Sequence, residues 1–394
     1  MKIVIAPNAF KDSLTSLGVI ACVKEAALKI FPDANIAEVP IADGGDGTVE
    51  AMVHATNGRV IQTQAADPLG RLIPCVYGEA GGAAVIGMSE VSGLARLEEK
   101  ERSALRASSY GTGELIRQAM DAGFRDILLG IGGSASNDAG TGALQALGIR
   151  FLRSDGSEIS RMCGKELASV AAVDDSGLDP RLKNTAITIM CDVTNPMTGA
   201  QGATYVYGPQ KGADKAQLDE LEQGMVHFAS VLDAYAGRKV SEMPGAGAAG
   251  GIGAALTAFA GAQMQSGIDA VLKRVNFPGL LHGADLVVTG EGRVDYQSAF
   301  GKVVHGVTRC ANAAGVPVIA LAGSIGEGVQ AVFDLGVRAI VPLPDGPMPL
   351  AACIADAKRL VALAAERAFA LIALGRELQP IPDAALQPDR AWKL

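Results

Sequence analysis

The residues best suited to chemistry in this 394-residue chain sit on glycine-rich turns, each following an apolar run. In Asp126–Gly142 the run Ile127-Leu128-Leu129 breaks into Gly130-Ile131-Gly132-Gly133-Ser134-Ala135-Ser136-Asn137-Asp138. It then resumes as a helix around Ala143–Leu147. A strand that empties through glycines into a helix start is suited to an anion, because glycine lets backbone amides approach a ligand. The same turn also reads as an ordinary strand–helix connection capped by Asn or Asp. Similar turns recur. Asp43-Gly44-Gly45-Asp46 offers two acids to Mg²⁺ or a ligand hydroxyl, or is a flexible capped turn. Asp192, just past the apolar run Ala186–Met190, stands where α/β proteins place metal-binding and catalytic acids, or turns the chain before Pro196. Lys211, between glycines, suits a phosphate or carboxylate, or is a solvated loop lysine. Gly290–Ser298 and Gly301-Lys302 add Glu291, Arg293, Asp295, Ser298 and Lys302.

These turns need strands and helices to hold them. The alternation of short apolar runs with helical segments predicts an α/β protein. Strands are expected at Lys2–Ala6, Ile36–Val39, Val60–Ala65, Ile73–Tyr77, Ala83–Met88, Ala186–Met190, Leu286–Thr289, Pro317–Ala322 and Ala339–Val341. Ser16 is read as the cap of a helix to Lys29, and Thr112 and Glu114 as caps of Leu115–Ala122. An acidic helix follows Asp214, and a long one spans Leu350–Leu374. The last strands need partners, and the N-terminal βαβ unit can supply them. The expected organisation is a discontinuous Rossmann-like domain with a parallel sheet, residues 1–65 with 280–394. A mixed α/β domain, 66–279, is inserted in it, and the active site lies in the cleft between. The tail after Gln379 is proline-rich and reads as loosely packed or disordered.

Composition narrows the function classes. Hydrophobic residues make up 49 % and aromatics 4 %, with 49 glycines, which suits α/β layers with tight turns. A net charge of −8 argues against a nucleic-acid surface. None of the six cysteines forms a CxxC pair, and the spacing suggests no zinc site but reduced thiols in a cytoplasmic protein. Met1–Pro7 reads as a first strand rather than a signal peptide. Pro244–Gly267 carries no charge but is mostly glycine and alanine, too weakly apolar for a membrane span. No GxxxxGK[ST] occurs. Gly245-Ala246-Gly247-Ala248-Ala249-Gly250 matches GxGxxG, but no strand precedes it; it reads as the opening of a helix at Ile252–Ala260.

Taken in order, APNAFKDSL from Ala6, PIADGGDGT from Pro40, SYGTGELI from Ser109, GIGGSASNDAGTG from Gly130, CDVTNP from Cys191, GPQKGA from Gly208, PGAGAAGG from Pro244 and TGEGRVDYQSAFGK from Thr289 resemble the bacterial glycerate kinase family. The chain departs from the family pattern at Ser103-Ala104, Ala107-Ser108 and Arg161–Glu166. The resemblance implies phosphorylation of D-glycerate by ATP with Mg²⁺, usually to 2-phosphoglycerate. It also implies a two-domain fold.

Such a reaction needs cations for the phosphates and the glycerate carboxylate, a metal ligand, and a group to accept the hydroxyl proton. Lys11, Lys211, Arg293 and Lys302 are the candidate cations; Asp43, Asp46, Asp138, Asp192 and Asp295 are the candidate acids. The reading places Mg²⁺ on Asp192 and the base at Asp295, with Lys11 and Lys302 beside the reacting groups. Gly44, Gly45, Gly132, Gly133, Ser134, Asn137, Gly247 and Gly250, with Glu291, Arg293 and Ser298, would cradle nucleotide or substrate. The expected partners are small molecules, glycerate and ATP, without nucleic acid or membrane, in a monomer or homodimer. A kinase for another hydroxy acid, 3-phosphoglycerate as product, and a non-catalytic sugar-acid sensor are the alternatives.

Overall fold

The structure, a computed structural model, describes residues 1–42, 44, 45 and 47–378. Asp43, Asp46 and the proline-rich segment 379–394 lie outside the described residues.

The strands run in chain order as β1 (Lys2–Ile5), β2 (Asn35–Glu38), β3 (Arg59–Ala66), β4 (Leu72–Ala80), β5 (Ala83–Gly87), β6 (Asp126–Gly130), β7 (Arg150–Leu152), β8 (Ala172–Asp174), β9 (Ala186–Met190), β10 (Gln263–Gln265), β11 (Leu286–Val294), β12 (Val318–Ile325) and β13 (Val337–Pro342). A parallel sheet has the order β13-β12-β11-β1-β2. A mixed sheet has the order β10-β9-β6-β5-β4-β3, parallel from β10 to β5 and antiparallel from β5 to β3. Strands β7 and β8 form a separate antiparallel two-stranded sheet.

The parallel sheet changes direction between β1 and β11. From β1 the chain moves outward to β2, and from β11 it moves the other way to β12 and β13. Such a switch point opens a crevice at the carboxyl ends of the strands.

Apolar residues on successive strand positions face opposite sides, and this sets the layers. Ile3, Ile5, Leu286, Val288, Ile319 and Leu321 pack on helices Ser16–Ile30 and Ala357–Glu377. Their neighbours Val4, Val287, Val318 and Ala320 turn the other way, onto Thr48–Ala55, Gly267–Arg274 and Val303–Ala313. Val85, Leu128 and Met190 of the mixed sheet enter that same core from its far side. Ala84, Ile86, Ile127, Leu129, Ile187 and Ile189 face the opposite way, onto helices Tyr110–Asp121, Thr141–Ala146, Lys215–Ala236 and Ile252–Ala260. The molecule is therefore layered α/β/α/β/α, and both sheets share the central helical layer.

Several local expectations change. Strand β3 pairs along its whole length with β4 in the mixed sheet. Strand β11 continues through Gly290–Val294, because β12 keeps pairing with it as far as Val294. Thr15, not Ser16, caps the first helix, its side chain accepting from Gly18 N. The helix expected at Leu115 begins at Tyr110. Thr112 consequently hydrogen-bonds Ser92, and Glu114 accepts from Ala66 N at 2.7 Å, so neither acts as a cap.

Candidate active site

The turns leaving β2, β6 and β9 meet at one end of the two sheets. Gly132 N donates to Gly44 O at 3.0 Å. A Cβ on Gly130 would stand 2.6 Å from Gly44 O, and one on Gly132 2.7 Å from Gly45 Cα. These glycines allow two backbones to touch, and that contact joins the parallel-sheet side to the mixed-sheet side. Gly250 has φ +72° and a Cβ there would meet Ser136 O at 2.3 Å; at Gly247 it would meet Pro196 O at 2.0 Å. The stretch Gly245–Gly251 thus braces the β6 turn from behind.

Asp138 sits inside that turn and is fully buried. Its Oδ2 accepts from Ser109 N at 2.7 Å, Ser109 Oγ at 2.8 Å and Gly142 N at 3.2 Å, and Oδ1 accepts from Gly140 N at 3.2 Å. Burial raises its pKa, and the bonds from Ser109, Gly142 and Gly140 oppose that rise. The helix start expected to face a ligand anion is occupied by the chain's own carboxylate.

Lys211 lies close by, on the short helical turn Pro209–Lys211, and is 1 % exposed. Its Nζ donates to Ser136 O at 2.6 Å. Burial lowers its pKa to about 8, and the charge on Asp138 opposes that shift. The lysine still carries a proton at neutral pH. Ser136 Oγ and Asn137 Oδ1, on the strand of turn it touches, are buried without a hydrogen-bond partner among the described residues. The Asn137 amide donates to Thr204 Oγ1 at 3.2 Å.

A cavity of about 260 Å³ opens over this lysine. Gly44, Gly45, Gly132, Gly133, Ser134, Asp192 and Lys211 line it, with Ala248 and Ala249 of the bracing loop. Tyr207 and Gln210 complete the wall. Tyr207 donates to Asn195 Oδ1 at 2.7 Å, which fixes its ring. Asp192 is exposed at the rim, and its Oδ1 accepts from Gly267 N at 2.9 Å, at the start of helix Gly267–Arg274.

A second cavity, about 600 Å³, adjoins it, and Gly45 and Gly133 belong to both walls. It lies at the end of β1, lined by Asn8–Leu14, Thr15–Leu17, Ile41, Ala42, Gly47, Glu50 and Ala51. Lys11 is its lysine and is exposed. The backbone at Phe10 and Lys11 rests against Gly292 of β11, so this loop stands beside the switch point.

The remaining expected residues gather at the end of β11. Asp295 Oδ1 accepts from Gln297 N at 2.9 Å, and its Oδ2 accepts from Arg293 Nε at 3.0 Å. Asp295 N donates in return to Ser298 Oγ at 3.1 Å, closing a capping box on the turn Tyr296–Ala299. Lys302 Nζ donates to Gln297 Oε1 at 3.0 Å. Arg293 is largely exposed and Glu291 is buried. None of these residues lines either cavity. The described candidate residues thus fall into three groups: on the cavity walls, buried in and behind the β6 turn (Asn137, Asp138, Gly247 and Gly250), and at the end of β11.

Sequence reasoning passed over Tyr207, Gln210, Asn8, Ser13 and Thr15 as site residues. Gln210 and Asn8 lie inside stretches already marked out by neighbouring Lys211 and Lys11, and adjacency alone was a usable signal. Tyr207 had none, since one aromatic in an apolar run reads as core.

Cavities at the carboxyl ends of parallel strands, one walled by a buried lysine, stand where α/β enzymes bind their ligands. A family model described as glycerate kinase family matches residues 3–373. The chain is 45 % identical over 342 residues to the glycerate 2-kinase of Escherichia coli K12, covering 86 % of this chain and 90 % of that one. It is 45 % identical over 352 residues to a glycerate kinase of Bacillus subtilis 168, covering 89 % and 92 %. A crystal structure described as glycerate kinase 2, from Salmonella typhimurium LT2, superposes with a TM-score of 0.86 at 42 % identity, over 96 % of this chain and 100 % of that one. The chain belongs to the glycerate kinase family, and it is a kinase. Among the described residues no helix is long and apolar enough to cross a membrane.

Proposed function

We propose that this kinase transfers the γ-phosphoryl group of ATP to D-glycerate and releases 2-phosphoglycerate and ADP. The observation that carries the reading is Lys211, a buried cation on the wall of a cavity, in a chain aligned end to end with glycerate kinases. Every ligand of that reaction is an anion. In a dry cavity a charge acts far more strongly than in water.

The hydroxyl oxygen attacks the γ-phosphorus, the bond to the bridging β–γ oxygen breaks, and the hydroxyl proton leaves to a carboxylate. Such a transfer depends mainly on position and electrostatics. Magnesium fits the residues present. Mg²⁺ takes one or two carboxylates together with water and phosphate oxygens. Asp192 at the cavity rim is one such carboxylate. Among the described residues no group of three or more His, Cys, Asp or Glu could cage a metal. When bound, the ion neutralises phosphate charge.

We assign the base to Asp295. It follows the central strand beside the switch point, Arg293 and Gln297 N hold its carboxylate in one orientation, and, because it lines neither cavity wall, it acts once the turn after β11 closes onto the bound hydroxyl. Lys11 and Lys302 supply further positive charge at the ends of β1 and β11. As a division of the chain, we take residues 1–58 with 282–378 as the parallel-sheet unit and 59–281 as the insertion. This moves the expected boundary back from 65, because β3 pairs with β4.

The test is ADP release by the purified protein with MgATP and D-glycerate. L-glycerate, tartronate and no acceptor serve as controls, and the product is compared with both phosphoglycerates. D-glycerate-dependent release of 2-phosphoglycerate is expected. Release only with another hydroxy acid would replace the substrate, and formation of 3-phosphoglycerate would replace the regiochemistry.

A further inference from the structure

Both substrates of a kinase must be held at once, and the molecule offers two adjoining cavities of unequal size and character. The smaller holds about 260 Å³, below the range of roughly 300–1,000 Å³ typical for drug-sized ligands. A three-carbon acid fits there and a nucleoside triphosphate does not. The larger, about 600 Å³, lies well within that range.

Their chemistry differs in the same sense. Lys211 in the smaller is 1 % exposed, and among the described residues its ammonium has one hydrogen-bond partner, Ser136 O. An ammonium has three protons to donate. The two others are suited to the oxygens of a compact carboxylate, in addition to the charge that Asp138 already places nearby. Lys11 in the larger cavity is exposed at the rim. An exposed lysine on an open wall suits an extended, strongly hydrated polyphosphate.

We infer, resting on the kinase reading above, that the 260 Å³ cavity is the hydroxy-acid subsite, with Lys211 as the carboxylate anchor, and that the 600 Å³ cavity at the end of β1 is the nucleotide subsite. Gly45 and Gly133 belong to both walls, so the phosphoryl group crosses between the cavities at that pair. A side chain is excluded beside that crossing: a Cβ on Gly132 would stand 2.7 Å from Gly45 Cα.

The assignment predicts opposite kinetic signatures for the two lysines. Lys211→Met should raise KM for glycerate at least tenfold while KM for ATP stays within threefold. Lys11→Met should raise KM for ATP and spare KM for glycerate. Ser13→Trp, which narrows the larger cavity and leaves Lys11 and Lys211 in the chain, should behave like Lys11→Met. Circular dichroism of each variant checks folding. As a second readout independent of turnover, Lys211→Met should bind ADP in calorimetry as tightly as the parent. A rise in KM for ATP equal to or larger than that for glycerate in Lys211→Met, or loss of ADP binding, would overturn the assignment. Absence of any glycerate-dependent turnover in the parent would instead remove the glycerate reading, and the subsite assignment with it.

Discussion

Two regions of this molecule are written in nearly the same residues. The β6 turn with Lys211 and the turn after β11 each combine glycines, an aspartate, a serine and a cation. In the first, Asp138 and Lys211 are buried, and every bond around them is internal. In the second, Arg293 is 66 % exposed at its side chain, and Asp295, 14 % exposed, closes a capping box. The difference is solvent. Burial lowers the Lys211 pKa to about 8 and raises that of Asp138. At the strand end, water screens the Arg293–Asp295 pair, and such pairs contribute little to stability. The buried cluster fixes charge and shape; the exposed one fixes only the direction of a carboxylate.

The sharpest way to break this contrast is Lys211→Met. It should lower kcat/KM for glycerate by about 10²–10³-fold, the usual cost of removing a preorganised charged donor from a dry site. The fold should persist, since a buried charge is removed and no large cavity is left. Near-parental kcat/KM would reduce Lys211 to a structural lysine. Asp295→Asn should cut kcat by about 10²-fold, the lower end of what a general base supplies. Asparagine can still accept from Gln297 N, so urea unfolding should be nearly unchanged. Near-normal kcat there would leave Asp295 as a cap only.

Asp138→Ala leaves the donors at Ser109, Gly140 and Gly142 without an acceptor and Lys211 without its nearby carboxylate. It should cost roughly 3 kcal/mol in urea unfolding. The same truncation at the exposed cluster, Asp295→Ala, should cost only about 1 kcal/mol, the usual loss of a cap. Equal costs would erase the contrast. The smallest expected effect is on pH dependence. Between about pH 8 and 10.5 an unfolded Lys211 holds a proton that the folded one has given up. Stability therefore rises with pH across that window relative to Lys211→Met, which lacks the group. Parallel stability–pH curves for parent and variant would contradict the burial of a titrating lysine.

Much of the fold was legible because apolar runs and turn residues are local. Lys215–Ala236 is helical, as the acidic-helix reading from Asp214 implied, and Asp214 with Gln217 forms its capping box. The misreadings share a cause, which is that the decisive partner is distant in sequence. Strand β11 runs through a polar GEGRV because β12, some thirty residues on, pairs with it. Glu114 looked like a cap until Ala66 N, 48 residues away, was found to claim it. The candidate site was legible as a set of turns, and Gly44, Gly45, Gly132, Gly133, Ser134, Asp192 and Lys211 do share a cavity. Nothing in the local pattern distinguished them from Arg293, Asp295, Ser298 and Lys302, which gather elsewhere. Nor did it show that Asp138 serves its own backbone.

The position of β1 between β2 and β11 in the parallel sheet has a consequence for synthesis on the ribosome. One neighbour, β2, emerges within about thirty residues, but the other, β11, begins at Leu286. At roughly 5–20 residues per second, the open side of β1 waits on the order of tens of seconds. During that wait the whole mixed sheet, Arg59 to Gln265, has emerged and can assemble. The nascent chain thus carries an unpaired, apolar strand edge past a folded neighbour, the kind of edge that chaperones and aggregates both recognise. A slow stretch of translation between Gln265 and Leu286 would lengthen that exposure beside an assembled mixed sheet, whereas one between Ile5 and Arg59 would lengthen it before that sheet exists.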